Sequence, residues 1–218
     1  MNQYIDHTLL DPTATLIQIH KLCEEAIAYK FASVCINPSY VLDAYKILEY
    51  SNVKVCTVIG FPLGATSTQA KVDETKQALK DGATEFDMVI HQGKLKAHEY
   101  KYVQHDISAV KEVVGNQILK VILETCNLTD DEIAKACQLA EAAGADFVKT
   151  STGFGSHGAT PEAIKVMKAN ISNRIQIKAS GGIRDAKTAK QYIDLGVSRI
   201  GASAGIAIVE GTSSDSTY

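Results

Sequence analysis

Short Val- and Ile-rich runs alternate along this chain with stretches of helical spacing. The runs at 33–36, 53–59, 84–90, 118–123, 147–150, 175–179 and 199–202 predict strands, and a weaker run at 4–8 precedes them. Between the first two of these segments, Leu16, Ile19, Leu22, Cys23, Ala26 and Ile27 fall on one helical stripe. Asp11 and Pro12 predict its cap and its first turn. Thr129 to Glu132 spell a capping box ahead of Ile133, Ala136, Cys137 and Ala140. Thr160-Pro161 and Asp185 open two further helices. Gly82, Gly144 and Gly196 each follow a helical run, where a left-handed residue ends the helix.

Eight strands with intervening helices, at about 25–30 residues per unit, predict a single-domain α/β fold. Its architecture is a (β/α)8 TIM barrel over residues 1–210, near the lower size limit for that fold. Residues 211–218, all small or polar but for the terminal Tyr218, predict a mobile tail. The rival is an open doubly wound sheet. It is weakened because no G-x-G-x-x-G follows the first strand, and because polar residues recur within central strands.

Strand side chains alternate faces, and in a barrel the inward face meets the axis. Glu85, Asp87 and Val89 oppose Phe86, Met88 and Ile90; Lys120, Ile122 and Glu124 oppose Leu119, Val121 and Leu123. Lys149 shares a face with Phe147 and Ser151, and Lys178 with Gln176 and Ser180. Four consecutive strands therefore aim charge inward: Asp87, Lys120 with Glu124, Lys149, and Lys178. A barrel interior is normally filled with Val, Ile and Leu. One reading is an ion-pair network that only stabilises the core, which is a poor use of buried charge. The other is a lysine made nucleophilic by its neighbours. A free lysine is neutral in only about 0.04% of molecules at pH 7. A second ammonium about 5 Å away, at an effective dielectric near 20, opposes the charged form by roughly 3 kcal/mol. Adjacent strands place Lys149 and Lys178 at about that spacing. Schiff-base chemistry on a carbonyl substrate follows as the leading reaction class.

Two glycine-rich loops point to the other end of the substrate. Ser180-Gly181-Gly182-Ile183-Arg184 follows the seventh strand, and Gly201-Ala202-Ser203-Ala204-Gly205 the eighth. Glycines let backbone N–H groups approach an anion, and loops at these two places commonly hold phosphate in (β/α)8 enzymes. A third loop, Gly153 to Gly158, follows Lys149 and is placed to close over a ligand.

Composition narrows the picture without changing it. The 218 residues carry a formal charge of −3 with a pI near 6.1, which argues against nucleic acid or an anionic membrane as partner. Five cysteines without any Cys-x-x-Cys read as free thiols in a reducing compartment, so a cytoplasmic location is expected. No apolar run reaches 18 residues, and the first ten lack the basic start of a leader. The six histidines show no metal-ligand spacing, and no metal or cofactor is expected. A homodimer is the base-rate assembly.

These residues resemble those of the deoxyribose-phosphate aldolases. The matching segments are IDHT from Ile5, ASVCINP from Ala32, EFDMVI from Glu85, KVILET from Lys120, DFVKTSTG from Asp146 and KASGGIR from Lys178. The resemblance implies reversible cleavage of 2-deoxy-D-ribose 5-phosphate to D-glyceraldehyde 3-phosphate and acetaldehyde, in deoxyribonucleoside catabolism. It implies Lys149 as the Schiff-base lysine, Lys178 as the lysine that tunes it, and Asp87 as the proton-relay carboxylate. It also implies phosphate binding by Gly181, Gly182 and Ser203, assisted by Gly153 and Gly201. The chain departs from the family in two places. Phe154 stands where some members carry a phosphate-side lysine, and Ala204 where a second serine often stands. Around this core, Asp6 and Thr8 are expected at the mouth of the first strand as substrate contacts, or else as caps. Cys35 is expected to line the aldehyde pocket or to pack as a small apolar side chain; Lys120 and Thr152 complete the pocket. Tyr218 is expected either to reach in from the tail as a proton donor or to take no part. Two rivals stay open: another lysine-dependent aldolase acting on a phosphosugar, and a non-catalytic sensor of sugar phosphates.

Overall fold

A computed structural model describes residues 1–213. Eight parallel strands close into a barrel in chain order: β1 Ile5–Leu9, β2 Ser33–Ile36, β3 Lys54–Ile59, β4 Glu85–Val89, β5 Ile118–Ile122, β6 Phe147–Lys149, β7 Gln176–Ser180 and β8 Arg199–Ala202. Strand β8 pairs back onto β1 through Ile5↔Ile200 and Asp6↔Gly201, so the sheet has no free edge. The helices are α1 Leu16–Tyr29, α2 Val41–Leu48, α3 Thr68–Lys80, α4 Gln92–Lys96, α5 Tyr100–Val114, α6 Asp130–Ala142, α7 Pro161–Ala169, α8 Ala186–Asp194 and α9 Gly205–Glu210. No helix among the described residues is long and apolar enough to cross a membrane.

The period-two pattern divides each strand as expected. Outward residues such as Val34, Phe86, Met88, Leu119, Val148 and Ile177 join helix residues such as Ile19, Leu22, Ile107, Ile133 and Met167 in the main apolar core. That core is the ring between sheet and helices, and burying it drives the closure. Inside the barrel the only apolar cluster among the described residues is small: Leu10, Cys35, Cys56 and Val58, with Phe61 against it. The rest of the interior mixes single apolar side chains such as Val89 and Ile122 with buried charge.

Helix signals carry over with one exception. Thr129 and Glu132 form their reciprocal capping box, Thr160 Oγ1 accepts from Ala163 N, and Asp185 Oδ1 accepts from Thr188 N. Gly82, Gly144 and Gly196 all have positive φ, the left-handed ends that their positions require. The exception is the first helix. It starts at Leu16 behind a capping box of Thr15 and Gln18. Asp11 instead folds a local turn, in which Thr13 N and Oγ1 both donate to Asp11 Oδ1 at 2.6 Å. The segment expected as a tail begins with order: Thr212 N donates to Ala207 O, and Ser213 bridges to Asp185. Residues 214–218, Tyr218 among them, lie outside the described residues.

Candidate active site

At the C-terminal end of the strands, a cleft of about 670 Å³, open mouth included, is lined by loops after β1, β6, β7 and β8. Lys149, at the last position of β6, lies at its base. Gly153, Gly181, Gly182, Gly201 and Ser203, the residues expected to bind phosphate, line it, and so do Thr8 and Thr152. Leu10, Ser180, Ile183, Arg184 and Ala202 complete the wall. Arg184 was missed as a site residue. It is exposed, two residues past the glycine pair, and is the only cation besides Lys149 in the lining.

Beneath Lys149 lies the charged interior. Asp87 Oδ2 accepts from both Lys149 Nζ at 2.8 Å and Lys178 Nζ at 2.7 Å. Its other oxygen accepts from Lys120 Nζ at 2.9 Å and from the Cys56 thiol at 3.2 Å. Register explains the convergence, because Lys149 pairs with Lys178 across β6 and β7, and Asp87 with Lys120 across β4 and β5. A second layer lies below. Asp6 Oδ2 is 2.5 Å from Lys178 Nζ, and its Oδ1 accepts from Arg199 Nε at 2.7 Å. The Arg199 fork also reaches Glu85 at 2.7 and 3.2 Å, and Glu85 lies 2.6 Å from Lys120 Nζ.

Burial alone would raise the Asp87 carboxyl, but Lys120, Lys149 and Lys178 outweigh it and hold it well below the usual carboxylate range. Burial likewise opposes the Asp6 anion, and Arg199, Lys178 and Lys120 reverse the effect. For Lys178 burial favours the neutral amine, yet Asp6 and Asp87 raise it above an ordinary lysine. Lys178 therefore stays an ammonium.

Three expectations change, for Asp6, Lys120 and Glu124, and a fourth residue, Cys35, is decided between its two alternatives. Asp6 is not at the mouth; it is fully buried one layer below Lys178, because the stagger of a closed barrel sets strand depth. Cys35 takes the packing alternative: it faces inward against Leu10, Cys56 and Val58, with its thiol 3.9 Å from Asp87 Oδ2, and is not itself in the cleft lining. Lys120 is buried in the network and does not line the pocket. Glu124 leaves the network, and at the barrel mouth its carboxylate accepts from the Thr152 hydroxyl and, at 3.3 Å, the Thr152 amide. In its place the network takes in Glu85 and Arg199. Both were detectable, since Glu85 shares its strand face with Asp87, and Arg199 with Gly201 and Ser203.

The loop after β6 is held to the loop after β7. Ala159 N donates to Ser180 O and Gly181 O, and a Cβ on Gly158 would lie 2.0 Å from Gly181 O. Gly158 is thus a second missed residue, required by close backbone approach. Phe154 meets Phe61 edge to face at 5.4 Å, outside the pocket lining. Ala204 is buried at the start of α9. For a metal, the described residues offer Cys35, Cys56 and Asp87 as a donor group. Both Asp87 oxygens are already occupied by ammonium groups, so a cation would have to displace lysines.

Comparison with known proteins agrees with this geometry. The chain is 57% identical over 215 residues to the deoxyribose-phosphate aldolase of Clostridium perfringens (strain 13 / Type A), covering 98% of this chain and 96% of that one. It is 52% identical over 218 residues to the deoxyribose-phosphate aldolase of Streptococcus mutans, covering 100% and 99%. A tetrameric deoxyribose phosphate aldolase structure from Aeropyrum pernix superposes with a TM-score of 0.90 at 32% identity, covering 96% of this chain and 89% of that one. Residues 1–212 match the DeoC/LacD family aldolase pattern, and the chain belongs to that family.

Proposed function

We propose that this protein is a deoxyribose-phosphate aldolase in which Lys149 forms the Schiff base. One observation carries the reading. Of the four cations in the barrel interior, only Lys149 lines the cleft, and the cleft wall beyond it includes Gly153, Gly181, Gly182 and Gly201. Gly181 and Gly182 have positive φ of 85° and 75°, which leaves backbone N–H groups free of side-chain shielding. With Ser203 and Arg184 they form an anion-binding end, and phosphate held there positions the sugar aldehyde over Lys149.

In the proposed cycle the neutral Lys149 amine attacks carbon 1 of the open-chain sugar, and loss of water leaves an iminium. Removal of the proton from the hydroxyl on carbon 3 breaks the bond between carbons 2 and 3. The electron pair passes to the iminium nitrogen as an enamine, and glyceraldehyde 3-phosphate departs. Protonation of the enamine at carbon 2 and hydrolysis then release acetaldehyde. Asp87 is sealed beneath Lys149, so it reaches the hydroxyl on carbon 3 through an intervening water. Its charge stands beside the nitrogen that becomes cationic, where a fixed anion stabilises most. Lys178 holds the same oxygen and keeps Asp87 in place. The five free thiols fit work in the cytoplasm, and a homodimer is the proposed assembly.

Acetaldehyde with borohydride tests the chemistry. The expected product is N-ethyl-Lys149, a gain of C2H4, and Lys149→Leu should abolish both the adduct and turnover of deoxyribose 5-phosphate while keeping the fold. An unlabelled Lys149 with active enzyme would overturn the mechanism. Tight phosphosugar binding without adduct or turnover would favour the sensor. Turnover of a different phosphosugar in preference would favour the other aldolase.

A further inference from the structure

The charges gathered inside the barrel do not cancel. Asp6 from β1 and Glu85 and Asp87 from β4 supply three carboxylates; Lys120 from β5, Lys149 from β6, Lys178 from β7 and Arg199 from β8 supply four cations. Strands β2 and β3 face them with Ser33, Cys35 and Cys56. Glu124 and Arg184, of opposite sign, lie outside this cluster at the barrel mouth. An uncompensated charge away from water is costly. Arg199, with its side chain 11% exposed, keeps its proton as a guanidinium; of the three lysines only Lys149 opens to the cleft, so it is the member that can give up a proton to solvent and restore neutrality.

Resting on the amine role proposed for Lys149, we infer that Glu85 and Arg199 are positioning residues that set its charge from the layer below. Glu85 connects to Lys149 through Lys120 and Asp87, and Arg199 through Asp6, Lys178 and Asp87. Neither lines the cleft. Their signs oppose: the Arg199 guanidinium favours the neutral amine, and the Glu85 carboxylate favours the ammonium. Lys120 and Lys178 then do more than crowd Lys149, because they carry this balance through one shared carboxylate.

The test is the pH dependence of N-ethyl-Lys149 formation with acetaldehyde and cyanoborohydride on the full chain. Acetaldehyde carries no ionisable group, so differences between variants report the protein. Removing a negative charge with Glu85→Gln should move the midpoint about one pH unit toward acid, and Arg199→Met about as far toward alkali. The double variant restores the charge count and should return the midpoint close to wild type. A lower plateau with an unmoved midpoint in the single variants would show a merely structural role and overturn the inference. Absence of any wild-type adduct would instead sink the Schiff-base reading beneath it. Should one single variant fail to fold, the other still decides, since each has its own expected direction of shift. A midpoint set by sealed charges should stay put when ionic strength rises about tenfold, and one that moves is set by exposed groups.

Discussion

Lys149 and Lys178 are register partners on neighbouring strands, and both ammonium groups converge on a single oxygen, Asp87 Oδ2. Two ammonium groups about 4 Å apart repel by about 4 kcal/mol at an effective dielectric near 20. One shared carboxylate offsets that repulsion and fixes where each amine sits. The two lysines differ only in what lies on their far side. Lys178 has Asp6, which holds it as a cation, whereas Lys149 has the open cleft.

Acid should undo this interior first. Asp6 and Asp87 are both fully buried with carboxyls depressed below their unfolded value of about 3.9, so the folded protein holds fewer of these protons than the unfolded chain. Their stabilisation is complete well above that value and is lost as pH falls below about 4. Urea midpoints should be flat between about pH 7 and 5 and drop steeply toward pH 3. Asp6→Asn should start lower and fall less steeply. An equally steep fall in that variant would remove Asp6 from the account.

Gly158→Ala should separate phosphate binding from chemistry. The added methyl would meet Gly181 O at 2.0 Å, and the neighbour is backbone, which cannot swing aside. The loop after β7 must then shift. The expected outcome is a KM for deoxyribose 5-phosphate raised about 10-fold or more, with the rate of acetaldehyde trapping at Lys149 close to wild type, because acetaldehyde lacks the phosphate. Equal losses in both measurements would show that this contact supports the whole fold instead.

A buried pair outside the barrel should matter for stability alone. Lys71 on α3 and Asp106 on α5 are both fully buried, with Nζ 2.6 Å from Oδ2; Lys71 also donates to Val89 O, and Thr68 Oγ1 donates to Asp106. Lys71→Met strands the Asp106 anion and should cost about 3–5 kcal/mol by urea unfolding. Lys71→Met with Asp106→Leu should recover much of that loss. A single variant within about 1 kcal/mol of wild type would show that water reaches the pair.

Period-two alternation is local, and so the inward aim of Lys120, Lys149, Lys178 and Asp87 was legible from the chain alone. The glycine loops after β7 and β8 were legible for the same reason, as was the barrel itself from the recurring unit. Depth was not. How far down the axis a side chain sits depends on the stagger of a closed sheet, a sum over eight pairings far apart in sequence. Asp6 therefore moved from the expected mouth to the lower layer and Glu124 became a brace for Thr152, while Cys35 took the packing role that was one of its two alternatives. The approach of Gly158 to Gly181 is invisible for the same cause, since it joins two loops held by different strand pairs. Sequence by itself determined which groups face inward; only the tertiary structure decided which of them share an oxygen and which one reaches the cleft, because closure sets distance and burial sets the strength of charge.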